Sequence, residues 1–137
     1  MIIGALATAV TTIRLTLHVL AAAIWVGGQI VVAGLLPTVR TLGPDAPKRI
    51  ARAFARLEWP AYAVLLLTGI WNVTAAATGQ SSAWKVVLGV KIGVVLLAGV
   101  AVVLHQRAKS PTGLAVWGAV AGVSSLAALV LGVVLAG

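Results

Sequence analysis

Apolar residues run through this chain in four long blocks, and the polar residues fall mainly between them. A helix needs about 20 mostly apolar residues to cross a bilayer, and the blocks at about 14–36, 57–77, 84–105 and 114–136 meet that length. The pattern predicts an all-α protein, an integral membrane four-helix bundle forming one domain over residues 1–137, with no room for a soluble domain. Arg14 interrupts the first block, so Met1 to Ile13 reads as an extra helical turn or an interfacial helix. It lacks the positive start of a cleaved signal segment. Pro37 is expected to close the first span, because proline restricts the residue before it and has no amide to donate. Gly43, Pro44 and Pro47 mark a turn ahead of a short basic helix from about Ala46. Pro60 is expected in the first turn of the second span, where proline is tolerated. Trp84 and Lys85 read as an interfacial anchor for the third span.

Charge gives this arrangement a direction. Arg40, Lys48, Arg49, Arg52 and Arg56 face only Asp45 within 38–56, Arg107 and Lys109 occupy 106–113, and the turn between the second and third spans contributes only Lys85. Lys and Arg in short loops mark the cytoplasmic side. The expectation is a multi-pass protein of the cell membrane with loops 38–56 and 106–113 cytoplasmic and both termini outside. Membrane topology accounts for the net charge of +8 better than nucleic acid does, since a nucleic-acid reader gathers its charge in a groove with stacking aromatics. A content of 61% hydrophobic and 9% charged residues lies far from that of soluble domains. The lack of cysteine excludes disulfides, thiolate metal sites and cysteine nucleophiles.

Few polar residues interrupt the spans, and depth sorts them into two layers. At about 1.5 Å per residue, His18, Lys91 and Asn72 lie roughly 6 to 9 Å from the outer face, on three different helices. His105, Glu58, Arg56 and Arg107 collect at the other ends. Ionisable groups inside a span are costly and usually mark function, which makes His18, Lys91 and Asn72 the leading ligand-binding candidates. A structural alternative stands beside this, because lysine snorkels to a nearby surface and an interfacial histidine can simply be hydrated. For Glu58 and His105, interfacial solvation or local pairing is the favoured reading, and Trp25, near mid-span, is a further ligand-binding candidate for which core packing is the default. The pairs Gly89 with Gly93 and Gly118 with Gly122 permit close helix approach, within one bundle or across a homodimer.

The ordered string His18, Trp25, Gly27, Gly28 and Pro37 resembles the first span of the copper resistance protein D family. The segment from Leu66 to Ile70 before Trp71 and Asn72, followed by Trp84, Lys91 and the His105 to Arg107 end, is similar to that family's later helices. The resemblance covers three spans and implies copper transport or homeostasis, with His18 as the metal contact. The same elements look like the HemJ-type protoporphyrinogen oxidases. That likeness implies haem b held by His18 with Lys91 as its partner, although the Tyr and Arg-rich exit expected there is missing.

Three functions from different classes follow. Copper handling meets the difficulty that soft Cu(I) favours thiolate and thioether ligands, while the one methionine is Met1. A site would need His18 with the N-terminal amine, a dimer mate or another membrane protein. Haem redox chemistry needs only one axial histidine, with Lys91 holding a propionate or moving a proton. A small scaffold or assembly subunit predicts that His18 and Lys91 are replaceable.

Overall fold

The computed structural model describes residues 6–137, so the Met1 amine invoked for copper lies outside the described residues. Four helices follow in sequence: α1 over Ala9–Arg40, α2 over Ala46–Ala76, α3 over Ser82–Arg107 and α4 over Pro111–Ala136, with no strand among the described residues. Helices α1, α3 and α4 are each long and apolar enough to cross a membrane. Helix α2 falls short of that standard, because its first third is basic and Glu58, Trp59, Pro60, Tyr62 and Asn72 dilute its apolar run. Leucine, isoleucine and valine side chains stand exposed on all four helices, as expected of a surface whose solvent is lipid.

Local chemistry explains the starts. The hydroxyls of Thr8, Ser81 and Ser110 accept from the backbone amides of Thr11, Trp84 and Gly113 at 3.2, 3.1 and 3.0 Å, satisfying one orphan amide at each N-terminus. The Thr8 cap starts α1 at Ala9 and leaves Arg14 inside the helix, so Ala9 to Ile13 is continuous with the first span. Both proline expectations need correction. Pro37 lies within α1, which runs on to Arg40, and Pro60 lies in mid-helix rather than in a first turn, because the basic segment from Ala46 and the second span form one 31-residue helix. At Pro37 the helix has only three residues left, so the missing amide interrupts its last turn and not its body.

Residues Ala23–Gly27 form a π turn within α1. Trp25 and Val26 within it are both buried, although consecutive residues of a regular helix point about 100° apart. Trp25 is 3% exposed and sits at the centre of the core with Ala98, Ala101, Val102 and Ala121. Its indole donates to Ser125 Oγ on α4 at 2.9 Å, and its ring lies 4.5 Å from Tyr62 and 5.9 Å from Trp59 between centroids. Trp25 is thus part of the packed core.

The chain packs as two hairpins, α1 with α2 and α3 with α4. Small residues line the second hairpin and let its helices approach closely. Between α2 and α3, large side chains span the gap. Tyr62 donates to the Val95 carbonyl at 3.0 Å and lies against Gly99, and Trp59 Nε1 donates to Gln106 Oε1 at 3.2 Å. Of the four paired glycines, only Gly118 meets another side chain within the chain, that of His105; a Cβ on Gly89, Gly93 or Gly122 would meet nothing within 4 Å.

Candidate functional site

His18 leaves α1 towards α2, where its Nδ1 lies 2.7 Å from Thr68 Oγ1. The Thr68 hydroxyl has one hydrogen and donates it to the Val64 carbonyl at 2.6 Å, the usual back-bond of a mid-helix threonine. Nδ1 therefore supplies the proton between imidazole and hydroxyl, and Nε2 keeps the free lone pair. A histidine whose second nitrogen is tied in this way has a fixed tautomer and ring direction, as ligating histidines do. Thr68 is 4% exposed, so the relay is sheltered. Gly69 adds room, since a Cβ there would lie 3.8 Å from His18 Cε1.

Asn72 stands one turn beyond Thr68 on the same helix face, and its Oδ1 is buried without a hydrogen-bond partner. Lys91 projects from α3 over Gly132 of α4, where a Cβ would come 3.0 Å from its Nζ. Register places these residues at one height. The Trp25 to Ser125 bond aligns antiparallel α1 and α4, His18 lies seven residues before Trp25, and Gly132 lies seven after Ser125. All four helices thus contribute to this layer: His18, Thr68 with Asn72, Lys91, and Gly132.

The second layer differs. His105 Nδ1 donates to the Leu114 carbonyl at 2.8 Å and its ring rests against Gly118, where a Cβ would be 3.1 Å away. It closes the corner between α3 and α4. Glu58 is 5% exposed, and this burial departs from the interfacial solvation expected of it. It sits on the inward stripe of α2 that continues through Ala61 to Thr68. His18 and His105 occupy opposite ends of the bundle, as their depths implied.

The described residues contain no group of three or more His, Cys, Asp or Glu able to hold a metal. Two shallow grooves, one between α3 and α4 around Val94, Val120 and Val123 and one between α1 and α4 around Gln29 and Ser125, lie away from His18. Sequence reasoning left Thr68 without a role, although it lies four residues before Asn72 and thereby belongs to the same helix face. It also missed Gln29, whose amide donates to Ser125 Oγ at 3.3 Å, and Tyr62. Both are polar residues in apolar runs, one turn from Trp25 and three residues from Trp59.

Comparison with protein families, with characterised proteins and with solved structures found no match to this chain.

Proposed function

We propose that all four helices cross the bilayer as a bundle with both termini outside, and that the layer of His18, Thr68, Asn72 and Lys91 handles copper in transport or homeostasis. The resemblance to the copper resistance D family motivates the copper reading, and one observation carries the site: the His18 imidazole is held through Nδ1 by Thr68, with Nε2 left as a ligand atom. Copper is here the cargo. The described residues of one protomer offer it a single imidazole nitrogen in this layer, so the N-terminal amine, a second copy or a membrane partner supplies the remaining donors.

Haem b is the second reading, and the donor set favours it in one respect. A single axial imidazole is enough for haem, and Lys91, on α3 over Gly132, would pair with a propionate. His105 is engaged with Leu114 at the opposite end and offers no second axial nitrogen within one protomer. Haem when bound would supply one-electron chemistry; this chain's part would be to orient His18 Nε2 as its iron-holding atom through Thr68 and to hold a carboxylate through Lys91.

The test is an absorption spectrum of the detergent-purified protein, oxidised and reduced, with copper and iron analysis on the same sample. Copper handling predicts copper without a Soret band, lost in His18→Ala. A Soret band with stoichiometric iron, also lost in His18→Ala, replaces it with the haem reading. If neither metal is present and His18→Ala changes nothing, a scaffold role is left.

A further inference from the structure

The bundle end opposite His18 gathers positive charge that the chain does not neutralise. Lys48, Arg52 and Arg56 recur every four residues along α2 and are all exposed or half-exposed, so they form one stripe. Phe54, which packs against Gly28 of α1, fixes the opposite face towards the bundle and turns this stripe outward. Arg107 and Lys109 lie exposed at the neighbouring corner between α3 and α4. The chain has two acids, Asp45 and Glu58, and Glu58 is buried in the bundle.

Two further features suit this cluster to a lipid headgroup layer. Trp59, one turn beyond Arg56, donates its indole hydrogen to Gln106, the neighbour of Arg107, at 3.2 Å. The bond ties the α2 stripe to the α3 corner, and tryptophan concentrates at membrane interfaces. Leu57, next to Arg56 on the bundle side, is 62% exposed, which suits an acyl chain beneath the cations.

We propose that Arg52, Arg56, Arg107 and Lys109, arranged about the Trp59 to Gln106 bond, form a binding site for the headgroup phosphate of an anionic phospholipid. Arginine forks pair with phosphate oxygens in two-point contacts. The unbalanced charge supplies the attraction to an anionic leaflet. Exposed Leu57 makes the ligand a lipid rather than a free phosphate, because a soluble anion gains nothing from it.

The experiment titrates full-length protein in neutral detergent with phosphatidylglycerol, phosphatidylcholine or inorganic phosphate and follows bound lipid by native mass spectrometry and unfolding by heating. Phosphatidylglycerol is expected to bind and raise the Tm, with little effect from the other two. The variant R52Q/R56Q/R107Q is expected to bind it about a hundredfold more weakly, at roughly fivefold per cation lost, while its Tm without added lipid stays near that of the wild type. Should that variant fold poorly, W59F tests the same site through the lost indole bond and is expected to weaken binding about threefold to tenfold. Undiminished phosphatidylglycerol binding in whichever variant folds would overturn the proposal, as would an equal response to phosphatidylcholine or to inorganic phosphate.

Discussion

His18 and His105 are held alike and by different means. Each is bonded through Nδ1 and keeps Nε2 free, but His18 relies on a hydroxyl fifty residues away on another helix, whereas His105 relies on a backbone carbonyl nine residues away across a short loop. A hydroxyl partner exists only if α1 and α2 pack in register and residue 68 is a threonine. A carbonyl partner is present whatever side chain occupies position 114. The comparison separates an imidazole whose aim depends on one particular side chain from one that pins a corner. Lys91 shares the layer of the first, and Gly118 backs the second.

The largest expected effect tests whether the difference is functional. His18→Ala should abolish retention of the bound metal or chromophore, while His105→Ala should retain it and lose stability instead; elemental analysis and a melting curve on each variant check this. Loss of ligand in both would erase the distinction. Thr68→Val comes next, because it removes the hydroxyl while nearly keeping the shape. Ligand affinity should fall about 10- to 100-fold, the usual consequence of losing a partner behind a ligating histidine, as read by titration of the purified protein.

Gly118→Ala sharpens the other side. Its Cβ would press on the His105 ring at 3.1 Å, and a crowded core position costs about 1–3 kcal/mol. Gly132→Ala meets the flexible end of Lys91 at 3.0 Å, so it should leave stability within about 0.5 kcal/mol and act on ligand affinity instead. Equilibrium unfolding in mixed micelles measures both. The smallest effect is expected at Asn72→Leu. Removing an unpartnered buried carbonyl should stabilise the ligand-free protein by about 1 kcal/mol; a loss of stability would show that Oδ1 has a partner in the folded protein.

What is legible in the sequence follows from which interactions are local. Apolar blocks and the hydroxyl caps act within a few residues, so the four helices and the broad division of polar residues into two layers can be read from residue order alone. The ends are less secure. Pro37 looks like a stop and Pro60 like a first-turn residue because proline disfavours the interior of a helix in a free chain, yet here the helices on either side are supported by packing, and one missing amide does not end them. The Thr68 relay and the Trp25 to Ser125 bond depend on residues 50 and 100 positions apart. Their partners are one polar side chain each in an apolar run, a signal that gains meaning only once the register of the helices is known. The burial of Glu58 is hidden for the same reason, since it depends on which face of α2 turns inward.

The π turn at Ala23–Gly27 bears on how α1 meets α2 at both ends. In a regular helix every residue advances the face by about 100°, so over 32 residues the angle of one end dictates that of the other. The wider turn breaks this dependence once, between the half that aims His18 at Thr68 and the half that seats Gly28 against Phe54. The two halves behave as rods joined at a set angular offset, each indexed to its own contact on α2.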